Sequence, residues 1–408
     1  MSSGMLRTEQ PGRWTLPPRL AYGLAAGVIG LSLFASVTPS PLYHAYSVLW
    51  HFSPLTLTLI FSTYAFGVLA TLLLAGRASD QVGRRPVLLA ALGGLMVSAL
   101  LFMLARSAAW LFVARGLQGI ATGAALSAAS AAMLDLHPRR DATSVALGNG
   151  VASAGGLGLG MLVSSSLVQL APAPRLLPYL VLLTLFATAF AGAFLMPESV
   201  MARTQLRLTP QRPSVPSVVR QPFILASLAV FSSWSIGGLF FSLGPQLSAH
   251  LFRSSSVIVA GVGIVALTSA AAIAQLFMGR SPPWIGASAG SIALAAGMIG
   301  IVIAAAVGSG PAFLAGAVVG GVGFGLSFLG GLRALVAAIP SQQRAAVMSA
   351  FYIAAYASLS LPAILAGTVV RRLGLERTFE AFGSLAAGVA LIVAWQAWRM
   401  RPRGLEAR

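Results

Sequence analysis

Two groups of residues in this chain have types and spacing that could do chemistry. In the stretch Arg115-Gly116-Leu117-Gln118-Gly119-Ile120-Ala121-Thr122-Gly123, a guanidinium, an amide and a hydroxyl recur at intervals of three and four. A helix therefore puts Arg115, Gln118 and Thr122 on one face, where they could hold an anion or take part in a proton-linked network. The second group is the run Gly76-Arg77-Ala78-Ser79-Asp80-Gln81-Val82-Gly83-Arg84-Arg85-Pro86. Its glycines permit tight turns, and Asp80 can cap a helix end or pair with an arginine. Neither group is a catalytic constellation. With no cysteine, the chain has no disulfides, thiolate metal sites or cysteine nucleophiles. The histidines at 44, 51, 137 and 250 lack the pairing of metal ligands. No Gly-x-Ser-x-Gly elbow, no Walker sequence and no pair of carboxylates in one helix is read, so the reading expects no enzyme, no metal and no cofactor.

The elements that must position these groups follow from composition. Hydrophobic residues make up 57% of the chain and charged residues only 8%, with a mean hydropathy of +0.86, which describes a chain built for lipid. The charges fall in short gaps between apolar runs of about 20 residues, enough to cross a bilayer as helices. Barrel strands would be shorter and would alternate in polarity. The fold class is all-α and polytopic, with twelve spans expected at 20–42, 55–75, 86–105, 109–134, 143–170, 176–197, 222–246, 256–278, 285–306, 311–338, 344–368 and 379–399. No cleavable signal peptide is read ahead of the first span.

All 26 basic residues are arginine. An even span count puts both ends on one side, where eighteen loop arginines fall against six opposite, so the positive-inside rule makes that side the cytoplasm. Arginines spread through a dozen loops speak for topology and anionic lipid headgroups, and against nucleic acid.

The segment 199–221 carries four arginines and no acid and divides six spans from six, which makes it the natural linker. The expected organisation is a tail at 1–18, a six-helix bundle at 19–198, the linker, a second bundle at 222–399, and a tail at 400–408. The halves echo one another at an offset near 203: Pro41 with Pro245, Gly76-Arg77 with Gly279-Arg280, and Pro138 with Pro340.

The run from Gly76 to Pro86 resembles the loop between helices 2 and 3 of the major facilitator superfamily, and the stretch from Arg115 is similar to that family's Arg-x-x-Gln-Gly motif in helix 4. The resemblance covers about 20 to 400 and implies two six-helix bundles related by a pseudo-twofold axis around a central cavity. It implies that Gly76, Asp80, Gly83, Arg84 and Arg85 act in gating, by tying helix 2 to the neighbouring half in the outward-facing state. Arg115, Gln118, Thr122 and Asn149 are expected at the cavity or in coupling, with Arg115 lining the cavity. Gly148, Gly155, Gly156, Gly158 and Gly160 suit a sliding gate between halves. Candidate substrate contacts are Ser36, Tyr64, Trp234, Phe241, Tyr352 and Tyr356, forming an apolar pocket with a few hydrogen-bonding groups.

No carboxylate is expected at mid-membrane, which counts against cationic cargo. The reading is a secondary transporter of the bacterial inner membrane, multi-pass with both ends cytoplasmic, working by alternating access and exporting an amphipathic, neutral or anionic compound. Uptake of a small metabolite, or a non-transporting sensor or scaffold of the same fold, are the alternatives. The expected partners are a small-molecule substrate, membrane lipids and protons; the chain is expected to be monomeric.

Overall fold

The computed structural model describes residues 15–200, 204–208, 210, 212–340 and 343–401. Arg7, Glu9, Arg13, Arg203, Arg403, Glu406 and Arg408 of the expected tails and linker lie outside them. Among the described residues the long elements are all helices, twelve of them apolar and long enough to span a membrane. In the first half these are α1 (Pro18–Val37), a short α2 (Tyr43–Leu49), α3 (Pro54–Ala75), a short α4 (Ala78–Val82), α5 (Arg84–Met103), α6 (Ala108–Leu136), α7 (Ala142–Leu170) and α8 (Leu177–Phe194). The second half holds α9 (Arg220–Leu251), α10 (Val257–Met278), α11 (Pro283–Val307), α12 (Gly310–Ala338), α13 (Arg344–Leu373) and α14 (Leu375–Arg399).

Several ends differ from the expected ones. The first span breaks after Val37 into a 3-10 turn, Ser40–Leu42, because Pro39 and Pro41 cannot continue an α-helical ladder. Pro245 does not stop α9, which continues to Leu251. The carbonyl that Pro245 frees, that of Phe241, accepts from the Ser40 hydroxyl at 3.2 Å instead, as membrane helices tolerate. The charged loop between the second and third spans is itself one helical turn, α4. Because α14 starts at Leu375, Glu376 and Glu380 do share one helix, contrary to the expectation.

Alternation of the spans puts the start of α1 and the end of α14 on one side, here the near face. At the far face the halves are bonded together: Ser40 donates its hydroxyl to the Phe241 carbonyl at 3.2 Å. Across the α7–α10 seam, Gln169 Oε1 accepts from the Ser256 hydroxyl at 2.6 Å and from the Ile258 amide at 3.0 Å. Residues 35–43 are buried there, while 146–153, in the near-face part of α7, are only half-buried. The seam between the halves is bonded at the far end, and at the near end α7 and α10 still meet at Gly150 with Gln275 and at Leu147 with Gly279.

The glycines of α7 serve two different neighbours. A side chain at Gly156 would run into the backbone of Gly30, and one at Gly160 into that of Phe34, so this row lets α1 and α7 touch within the first half. Gly150 faces Gln275 and Gly158 faces Thr268, both on α10 of the other half. Only that second row fits the expected sliding gate; Gly155 has open space beside it, and Gly148 meets Met133 and Tyr22.

Candidate gating and binding site

The near-face loop is built around α4 and the first turn of α5. Gly83 joins them with φ at +111°, a value that glycine alone takes without strain, and this turns the start of α5 toward the end of α8. There Glu198 accepts the backbone N–H of Arg84 at 2.9 Å and of Arg85 at 3.2 Å, so a carboxylate fills the positive end of a 20-residue helix. The Arg84 guanidinium donates through Nε to Asp135 at 3.0 Å, to the Ser79 hydroxyl at 2.8 Å, and pairs with Asp80. Ser199 adds its hydroxyl to Asp135 at 2.7 Å. Arg85 turns away and lies over the Phe194 ring, 4.7 Å from its centre. The Gly76 carbonyl accepts from the Ser127 hydroxyl at 3.1 Å.

The pseudo-symmetric loop of the second half keeps the fold without the acid. Arg333 on α12 donates to the carbonyls of Gly279 at 2.6 Å and Ser281 at 2.9 Å, a fixed cation at the negative end of α10. Every partner named for Asp80, Arg84 and Arg85 belongs to the first half. Among the described residues, no tie from these groups to the neighbouring half is seen in this conformation.

Among the described residues Arg115 is the largest fully buried side chain, at 0% exposure. In this conformation the polar partners of its guanidinium named below all belong to the first half. Its Nε donates to the Tyr43 hydroxyl at 2.7 Å, and its Nη1 donates to the Ser36 carbonyl at 2.7 Å and to Gln118 Oε1 at 2.6 Å. Nη2 also bonds Tyr43. Gln118 completes the clasp by donating to the Ala35 carbonyl at 3.0 Å. The Tyr43, Tyr64 and Phe102 rings surround the cation at 5.5 to 5.9 Å. The break in the first span thus has a role: it frees Ala35 and Ser36 carbonyls and brings Tyr43 under Arg115. Among the described residues no carboxylate is buried, so the charge is met by dipoles and ring faces alone. Thr122 is buried on the same helix face, and Asn149 lies nearer the near face with its amide on the Ser130 hydroxyl at 3.0 Å.

The candidate contact residues meet where the halves join. Tyr64 and Phe61 of α3 share one apolar cluster with Phe241 of α9 and Tyr356 of α13, and Trp234 and Tyr352 pack against it. Phe61 and Phe241 face across the seam at 6.5 Å. Trp234 sits edge-on to Tyr356 at 5.3 Å and beside Phe328 at 5.3 Å. Ser36 turns its hydroxyl back to Leu33 and offers its carbonyl to Arg115.

Sequence reasoning passed over Tyr43, Asp135, Glu198 and Arg333. Their partners lie far along the chain, though Glu198 and Asp135 at the ends of spans were a usable signal. It also passed over Gly286-Ala-Ser288-Ala-Gly290, which has the letters of a nucleophile elbow. The pattern lies within α11 with no strand before it, and the Ser288 hydroxyl bonds the Trp284 carbonyl one turn back at 2.7 Å, so it has no elbow geometry.

Similarity to known proteins agrees with this arrangement. A triacylglyceride transporter of Mycolicibacterium smegmatis is 35% identical over 113 residues, 28% of this chain and 20% of the relative. The multidrug resistance protein MdtL of Klebsiella pneumoniae is 35% identical over 96 residues, 23% of this chain and 24% of the relative. The chain thus matches only a fifth to a quarter of these relatives' lengths. Among solved structures, a partially occluded inward-open form of the Escherichia coli xylose transporter XylE superposes with a TM-score of 0.74 at 13% identity, over 94% of this chain and 98% of that one. The human organic anion transporter MFSD10 gives 0.68 at 19% identity, over 94% and 100%. The family model for the Major Facilitator Superfamily matches residues 20–357. Twelve spans in two bonded halves, a charged near-face loop and a match over most of the chain place this protein in the Major Facilitator Superfamily of membrane transporters.

Proposed function

We propose that this transporter exports a small amphipathic molecule across the bacterial inner membrane by alternating access, with the near face toward the cytoplasm and uncharged cargo favoured over anionic. The observation that carries the reading is the charge inventory of the interior. Arg115 spends its donors on Tyr43, Ser36 and Gln118, and among the described residues no carboxylate is buried. The surface left where the halves meet is made of rings and hydroxyls, which suits apolar cargo with one or two hydrogen-bonding groups. A cation would find no counter-charge there, and an anion would have to displace Tyr43 or Gln118 from Arg115. The relatives' names, one a lipid transporter and one a multidrug resistance protein, are in keeping with lipophilic cargo. The orientation rests on the arginine bias between the faces.

The test is heat unfolding of the purified protein against a panel of neutral amphipathic, anionic and cationic compounds, since a ligand that binds only the folded state raises its stability. Neutral amphiphiles should stabilise most. Stabilisation confined to cations would overturn the charge argument. Direction is read separately, from the uptake of a neutral lipophilic fluorophore such as N-phenylnaphthylamine: expressing cells should accumulate less, and greater accumulation would reverse the direction.

A further inference from the structure

Between the halves, one buried polar atom has no partner. Gln275 of α10 is 4% exposed, and its Nε2 donates to the Gly325 carbonyl of α12 at 3.2 Å. A carbonyl only accepts, so the amide nitrogen is fixed on that side and the oxygen faces the other way. It faces α7 of the first half, where a Cβ added at Gly150 would lie 2.6 Å from Oε1. Among the described residues nothing donates to this oxygen. A serine hydroxyl left alone can turn to a carbonyl of its own helix, but an amide oxygen can only accept, and the N–H groups inside a helix are already used.

The seam is apolar on either side of this oxygen. Toward the near face, a Cβ at Gly279 would meet Leu147 of α7. Toward the middle, Ala154 of α7 packs with Ala271 and Ala272 of α10, and Phe324 of α12 lies against them. Phe324 also packs against the cluster that holds Phe61, Tyr64, Phe241 and Tyr356, so it joins the α7–α10 seam to the ring surface where the halves meet. Gln275 is bonded to the residue that follows Phe324. Because α10 runs toward the near face, Gln275, one turn past Ala271, stands at the near-face rim of that ring surface.

We propose that Gln275 Oε1 recognises a hydrogen-bond donor on the cargo, so that among neutral amphiphiles this transporter prefers alcohols and N–H amides to ethers, esters and tertiary amides. The inference rests on the neutral amphipathic cargo proposed above and deepens it. With glycine opposite, no side chain of residue 150 stands over the oxygen, so parting α7 from α10 at the near end uncovers it to whatever lies in the gap. A molecule with a donor at one end bonds Oε1 while its apolar body lies along Ala154, Ala271 and Phe324 toward Phe241, which a water molecule cannot do. The oxygen is buried and unpaired before cargo arrives, so a donor gains its bond without displacing one made within the protein. Cargo with acceptors alone gains nothing there and brings a second oxygen against the first. Such a site favours the ligand that pairs its polar group.

The test is heat unfolding of the purified protein in lipid nanodiscs with a matched pair of probes. N-methyldecanamide carries an N–H and N,N-dimethyldecanamide does not, while chain and carbonyl are the same. Concentrations are taken in the lipid phase, from partition into empty discs. Wild type should reach a given rise in unfolding temperature at roughly one-fifth or less of the concentration when the probe is the N–H amide. Gln275→Met, which keeps the length without the acceptor, should respond to both amides alike. Gly150→Ala reaches the same oxygen from the other half by pressing a methyl group toward it, and should also narrow the difference. Unfolding without probe shows whether each variant is folded, and Gly150→Ala decides the matter if Gln275→Met is not. Equal response of wild type to both amides overturns the role of Gln275 and leaves the neutral-cargo reading intact. A preference kept in full by the deciding variant overturns it as well. If neither amide stabilises wild type, the inference falls, and the wider panel decides the rest: stabilisation by other neutral amphiphiles spares the charge argument, and stabilisation by cations alone removes both.

Discussion

Adjacent glycines on α7 give a test in which one variant is the control for the other. Gly155 has nothing within 4 Å of where a Cβ would sit, whereas a Cβ at Gly156 would meet the Gly30 carbonyl, with its carbon at 2.8 Å and the Gly30 Cα at 2.9 Å. Ordinary contact begins at 3.4 Å, so α1 and α7 must part by half an ångström or more along backbone that cannot swing aside. Replacing glycine by alanine inside a helix gains roughly 0.5–1 kcal/mol in either variant, since less chain entropy is lost on folding. Gly155→Ala should show that gain alone. Gly156→Ala carries an added overpacking cost of about 1–3 kcal/mol, and the shared helix term cancels in the comparison. The two proteins, purified in one detergent and unfolded by heat side by side, should therefore differ by about 1–3 kcal/mol, with Gly156→Ala below wild type and Gly155→Ala at or above it. Equal stability of the two variants would refute the assignment of Gly156 to the α1 contact and with it the division of α7 into two glycine rows.

Arg115→Ala should lower stability by about 3 kcal/mol or more, because it strips the donors from Tyr43, Gln118 and the Ser36 carbonyl inside the first half. Arg115→Lys should fall between, since an ammonium lacks the planar fork; an Ala variant that unfolds like wild type would refute the clasp. Asp80→Asn leaves Arg84 bonded to Asp135, so heat stability should change by no more than about 1 kcal/mol while transport is impaired with binding kept. Unchanged turnover would sink the gating role. A cysteine at Ser214 should stay unlabelled by an impermeant thiol reagent in intact cells, and labelling would invert the orientation. The Ser144 hydroxyl and the amides of Thr143 and Ser144 hold the Asp141 carboxyl below the usual carboxylate range at the start of α7. Its contribution is therefore complete at neutral pH and is lost as the pH falls through that lowered value. The stability gap between wild type and Asp141→Ala should be full at pH 7 and close in strong acid, and a gap independent of pH would remove the charge from the capping argument.

Spans were legible in the sequence because hydropathy is a local property: twelve apolar runs separated by arginines leave little choice of fold. Their ends were less so. Pro41 could be seen, but that the break would swing Tyr43 beneath Arg115 depends on a helix 72 residues away. The motif from Gly76 to Arg85 was visible as letters, yet the acids that hold it, Asp135 and Glu198, come from 51 and 114 residues further on. Their place at the ends of spans was visible, but which loop they would hold was not. The glycines of α7 were read as one feature because a one-dimensional pattern does not say which neighbour each row will touch. Arg115 was expected at the cavity because Gln118 and Thr122 share its face and no acid lies at its depth; that carbonyls at the helix break would meet it depends on a distant segment.

The sealed guanidinium has an electrical consequence for the resting protein. Arg115 stands seven residues into α6, and its charge has no buried carboxylate to cancel it among the described residues. Along any thread of water that forms between the halves, a cation passing about 10 Å from that charge meets a repulsion of about 1.7 kcal/mol at an effective dielectric constant of about 20, enough to cut its passage by more than tenfold. Hydronium and sodium are subject to it alike, and an uncharged molecule is not. The chain thus carries a fixed charge that insulates the gap between the halves against ion leak, and that insulation needs no moving part.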